Sequence, residues 1–161
     1  MVLSTIWRLI AHHENREAAM RWSRQNHRIA LGWDKVGDIK AQGYNSEKDL
    51  ENAMRRFHPQ NRNFKSGGYS LWNFYQEMKE GDLVIVKGIK DIWVAEVESD
   101  YFYDPKNYST NGDYFHQRKI KITQLDPYKL WKASGGMFDD GGSIYRPLIR
   151  CAKTIETLNY R

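Results

Sequence analysis

The tightest constraint on this chain is the order of four short phrases that mix apolar, aromatic and turn residues. Arg28-Ile29-Ala30-Leu31-Gly32-Trp33 reads as a buried strand that delivers a tryptophan to its end. Ser70-Leu71-Trp72-Asn73-Phe74 opens a short helix, and Gly81-Asp82-Leu83-Val84-Ile85-Val86 is a turn feeding a core strand. Ile92-Trp93-Val94-Ala95-Glu96-Val97 pairs with that strand across a hairpin at Gly88 to Asp91, then runs into Asp100-Tyr101-Phe102-Tyr103-Asp104. Short strands alternating with short helices in this way predict an α+β fold, a small barrel with an aromatic-walled pocket at one rim. A rim of that kind suits holding a flat ring better than breaking bonds.

The remaining stretches fill in around these phrases. Thr5 to Ala11 reads as a first strand, and Asn15 to Gln25 as a helix with Ala18, Ala19 and Trp22 inward. Ser46-Glu47-Lys48-Asp49 has the form of a capping box, and Leu50, Ala53, Met54 and Phe57 follow at helical spacing until Pro59 forces a stop. Pro59 to Gly68 reads as a polar loop, with Ser70 capping a helix whose face is Leu71, Phe74, Tyr75 and Met78. Tyr101 to Phe115 is a long tyrosine-rich loop, and Lys119 to Thr123 alternates like a strand with one wet face. Beyond Asp126-Pro127 come a Leu130-Trp131 anchor, a glycine-rich segment from Gly135 to Gly142 and a helix-like stretch around Ile155 to Leu158. Neither a repeat nor a domain boundary stands out, and 161 residues fit one domain.

Composition narrows the setting. Six Trp, ten Tyr and six Phe mean that rings supply much of the buried area. The single cysteine, Cys151, allows no internal disulfide; no apolar run nears the roughly 20 residues of a membrane helix, and the N-terminus lacks the pattern of a signal peptide. A cytoplasmic protein without a membrane partner is the expectation. The net charge of +5 is mild, but its placement interleaves with the aromatic phrases. Arg21, Arg24, His27 and Arg28 precede Trp33; Arg55, Arg56, His58, Arg62 and Lys65 precede Trp72; Arg118, Lys119 and Lys121 follow the tyrosine loop. Cations alternating with rings are what a nucleic-acid groove requires.

Taken together, the strand ending in Gly-Trp, the Leu-Trp-x-Phe helix, the Gly-Asp-Leu-Val and Val-Ala-Glu-Val strands, the tyrosine loop and the basic strand resemble the EVE-like branch of the PUA/YTH superfamily. The likeness runs from about Ile6 to Thr123 and is similar in particular to the N-terminal DNA-specificity domain of McrB-type modification-dependent restriction systems. The resemblance implies a bent PUA-like β-barrel, flanked by short helices, that captures a modified base flipped out of a nucleic-acid strand, double-stranded DNA in the restriction systems. It also implies a GTPase motor, fused beyond this segment, and a nuclease subunit as partners, the chain being the N-terminal part of a longer protein. Carried over from YTH readers, the cage would be Trp33 and one of Tyr101, Tyr103, Tyr108 or Tyr114. A tyrosine stands where those readers have a second tryptophan.

An extruded base has two π faces and a hydrogen-bonding edge, so its pocket needs two roughly parallel rings and a few polar groups. Trp33 supplies one face and Tyr101 or Tyr103 the other, the two tyrosines sharing one side of a strand and Phe102 the opposite side. Asp38, Ser70, Asn73 and Asp100 are edge-reading candidates; Leu71 and Trp72 belong either to the pocket or to the packing beneath it. Trp7, Trp22, Trp93 and Trp131 read as structural. Arg28, Arg62, Lys65 and Arg118 are candidates for the nucleic-acid backbone, and Lys65-Ser66-Gly67-Gly68 forms either a phosphate cradle or a plain connection. Catalytic patterns are poor: His12-His13, His27, His58 and His116 lack metal-ligand spacing, Asp139-Asp140 reads as a turn, and Cys151 has no histidine partner. Neither catalysis nor a cofactor or metal is expected. The alternatives are an RNA-binding module without selectivity for a modified base and a small hydrolase, for which Asp113 and His116 are the residues to test.

Overall fold

A computed structural model describes residues 4–12, 14–107, 113–135 and 146–155. Three strands have nearly unbroken apolar sequence because both of their faces are covered: β1 (Ile6–Ile10), β3 (Leu83–Lys87) and β4 (Ile92–Val97). Alternate residues separate cleanly. Trp7, Leu9, Val84, Val86, Trp93 and Ala95 enter the main core, whereas Ile6, Leu83, Ile85 and Val94 meet Leu130, Cys151 and Ile155 in a smaller core on the other face.

Helix α1 (Arg16–Asn26) leads into β2 (Arg28–Leu31), a 3-10 turn at Asp34–Val36 and the single turn of α2 (Ile39–Gln42). Helices α3 (Glu47–Phe57) and α4 (Phe64–Trp72) follow, α4 continuing into a π-helical turn at Asn73–Glu77. After β4 come β5 (Phe102–Tyr103), β6 (His116–Ile122), α5 (Pro127–Ala133) and β7 (Leu148–Arg150). The sheet order is β2-β6-β4-β3-β1-β7, with β5 also on β6. β1 runs parallel to β3 and every other pairing is antiparallel. β6 pairs through His116–Lys119 with β2 and through Ile120–Ile122 with β4, and this division curls the mixed sheet into half a barrel.

Several local expectations hold. Ser46 Oγ accepts the Asp49 N–H at 3.1 Å while Asp49 Oδ2 accepts the Asn45 N–H at 2.9 Å, a reciprocal cap on α3. The Gly-Asp-Leu-Val phrase is explained by Asp82, whose buried carboxylate accepts from Thr5 N, Trp7 Nε1 and Lys79 N, each at 2.9 Å. Trp7 and Trp93 lie in the main core.

Other expectations are corrected. The segment from Pro59 to Gly68 is not a loop throughout, and Ser70 caps nothing: α4 starts at Phe64. Gly67 and Gly68 sit inside it because α3 presses close, and a Cβ on Gly68 would lie 2.8 Å from the Glu51 backbone nitrogen. β2 ends at Leu31, leaving Trp33 in a turn. β6 begins at His116 rather than Lys119, and α5 and β7 are elements that the sequence pattern does not announce. Tyr108, Asp139, Asp140, most of the glycine-rich segment and the end of the Ile155 to Leu158 stretch lie outside the described residues.

Candidate functional site

Trp33 sits just past β2 with φ 65° and ψ 54°, in the left-handed region. For a bulky L-residue this is a rare and strained conformation, persisting only where its surroundings hold it. The surroundings are five ring side chains, each hydrogen-bonded to the backbone between Trp33 and Ile39. His116 Nε2 lies 3.0 Å from the Trp33 carbonyl, Tyr103 donates to the Asp34 carbonyl at 2.9 Å, and Tyr44 donates to the Val36 carbonyl at 2.9 Å. His58 Nε2 accepts the Lys35 N–H at 3.2 Å, and the Tyr101 hydroxyl accepts the Ile39 N–H at 3.1 Å.

The proton positions follow from these partners. A carbonyl only accepts, so the His116 proton resides on Nε2 and points at Trp33. Tyr101 therefore donates its own hydrogen to His116 Nδ1, 2.7 Å away. Complete burial pushes the His116 pKa down to about 4, which keeps the ring neutral at pH 7. Burial likewise raises the Tyr101 phenol, so it stays a donor.

Sheet register explains why these groups meet. On β6, His116 stands opposite Leu31 of β2 on one side and Tyr103 of β5 on the other. Tyr101 and Tyr103 both touch its ring, with centroids 5.8 and 5.2 Å away, so the two tyrosines share a side as expected. Phe102 goes the opposite way, under the Arg28 guanidinium. From the helical side, Tyr75 meets Tyr101 edge-on at 5.1 Å and Trp72 lies 6.0 Å beyond it. Trp33, Tyr44, Phe64, Trp72, Tyr75 and Tyr103 are all half-buried against the main core, a rim of rings with edges still in solvent.

Of the residues singled out in the sequence, the fold brings Trp33, Asp38, Tyr101 and Tyr103 together. Asp38 caps α2, its Oδ1 accepting from Lys40 N and Ala41 N, and its charge acts on Tyr101, Tyr103 and His116. Tyr101 is 7 % exposed with its hydroxyl engaged, which makes it a support beneath the rim and not an open wall. Of the two, Tyr103 is the one that reaches the surface. Tyr114 stacks on His12 at 4.2 Å and covers Gly32. Ser70 and Leu71 are fully buried and so give a ligand no surface, and Asn73 donates to the Tyr69 carbonyl; Asp100 is exposed.

The expected phosphate contact at Arg118 is overturned. Its side chain is buried, and the guanidinium donates to the carbonyls of Phe74, Tyr75, Met78 and Ser99, closing the C-terminal end of the π-helical turn. Burial pulls its pKa down to about 10, still charged at neutral pH. Arg28 lies at the far end of β2, where it pairs with Asp104 at 2.7 Å and bonds Gln117 at 2.9 Å. Arg62 and Lys65 are exposed, as are Arg55 and Arg56, whose guanidinium groups lie over Phe64 and Phe57. Through His58 and Lys35, the basic end of α3 adjoins the Trp33 turn.

The residues whose place in the site sequence reading missed are the clamps His116, His58 and Tyr44, and Tyr75, which packs edge-on against Tyr101. A longer β6 would have exposed the first, since His116, Arg118 and Ile120 share one inward side, but two polar residues there imitate a wet face. Residues 7–129 match a family described as a domain of unknown function (DUF8426). A comparison with curated proteins gives no match.

Proposed function

We propose that this chain, which belongs to the DUF8426 family, reads a modified base in double-stranded DNA by stacking the flipped base on Trp33. The observation that carries the reading is the Trp33 turn: a partly exposed tryptophan in a strained conformation, on a backbone segment that five ring side chains hold, Tyr103 among them, and that ends at Asp38 and Ile39. Strain that is this thoroughly over-determined is characteristic of sites that must present a group in one orientation. Stacking on an aromatic ring is worth about 1–3 kcal/mol per base, enough to offset much of the few kcal/mol that unstacking costs. Asp38 Oδ2, outside the α2 cap, offers an acceptor for an exocyclic amino hydrogen.

Arg55, Arg56, Arg62 and Lys65, with Lys35, supply the cations for the phosphate backbone. In this reading the barrel is of the PUA-like, EVE type. It serves as the specificity domain of a cytoplasmic, modification-dependent restriction system whose GTPase motor and nuclease lie on other segments.

Fluorescence anisotropy tests it, using matched duplexes with adenine, methyladenine, cytosine or methylcytosine at one site, at fixed salt. The expected result is preference for one modified duplex, weakened about tenfold or more by Trp33→Ala. Equal, salt-sensitive binding of all four, unaffected by the substitution, overturns the reading. Tighter binding of single-stranded RNA of the same sequence replaces it with an RNA-binding module.

A further inference from the structure

The Trp33 carbonyl accepts two hydrogen bonds, a long one from the Val36 N–H at 3.4 Å and a shorter one from His116 at 3.0 Å. The second comes from a fully buried side chain, fixed on β6 between β2 and β5 and oriented through Nδ1 by the Tyr101 hydroxyl. Tyr101 in turn holds the Ile39 N–H, so one hydrogen-bonded pair tethers both ends of the segment from Trp33 to Ile39. Both rings are buried, and each directs its polar atoms at the other and at this one backbone segment. We propose that His116 is a positioning residue, its Nε2–H holding Trp33 in the left-handed conformation and thereby fixing the direction in which the indole leaves the backbone. Only the use of that direction, to stack a base, rests on the function proposed above.

Methionine and glutamine have nearly the same reach, and glutamine keeps an N–H where methionine has none. In protein labelled with 5-fluorotryptophan, six tryptophans give six resonances, and Trp33→Phe identifies that of Trp33. His116→Met is expected to shift or broaden the Trp33 resonance and leave those of Trp7 and Trp131 in place, while His116→Gln keeps it near its original position. Binding of the preferred duplex falls about tenfold in the methionine variant and recovers in the glutamine one. An unmoved Trp33 resonance in His116→Met overturns the proposal. Should that variant fail to fold, nitrogen-15 NMR of the unaltered protein decides: a neutral ring protonated on Nε2 supports the proposal, and a proton on Nδ1 defeats it. Duplex binding indifferent to Trp33→Ala sinks the base-reading function alone, because both resonance tests proceed without DNA.

Discussion

Trp33 occupies a backbone conformation that its own side chain opposes, at a cost of roughly 1–2 kcal/mol for an L-residue. Removing the ring and relieving the strain are therefore separable operations. Trp33→Ala loses the indole and keeps the strain, whereas Trp33→Gly loses both, so urea melts should find the glycine variant more stable by about 1 kcal/mol. Equal stabilities would mean that the turn relaxes once the indole is gone. His116 makes a second prediction. Its folded pKa of about 4 lies below the ordinary value of 6.5, so the folded state resists protonation more than the unfolded chain does. The associated stability is complete above pH 6.5 and is lost as pH falls from there toward 4, amounting to about 3 kcal/mol. Melts across that interval should show the loss, and His116→Gln should flatten it.

At the level of elements, the pairing of α3 with α4 shows what sequence reading reaches and where it fails. The α3 boundaries were legible because a capping box and a proline are local signals. The start of α4 was not, because Asn63 gives no side-chain cap and two glycines read as loop, although their real role is close approach to another helix. The two glycines should answer differently to substitution. At Gly68 a methyl meets α3 backbone at 2.8 Å, which cannot yield, so Gly68→Ala should destabilise by about 1–3 kcal/mol despite better helix propensity. At Gly67 the nearest atom is the terminal methyl of Met54 at 2.7 Å, the end of a flexible side chain, and Gly67→Ala should be close to neutral. Thermal melts of the two variants compare these outcomes directly.

For the whole molecule, the fold brings Tyr103 to the Trp33 turn through its bond to the Asp34 carbonyl, and the α+β class was readable from apolar period and the order of phrases. The clamp around Trp33 was not, since it depends on which strands β6 joins, and sequence alone does not specify register across such distances. The bond between His116 and Trp33 spans 83 residues, and parallel pairing of β1 with β3 matches Ile6 to Leu83. Contacts this remote slow folding, because loops must close before any contact rewards them. Of the bonds on the Trp33 turn, those from Val36 and Tyr44 are local, and the one from His116 is not. During synthesis the bond from His116 is missing until β6 has left the ribosome, so the last but one of the described strands to be made is the one that completes the clamp on Trp33.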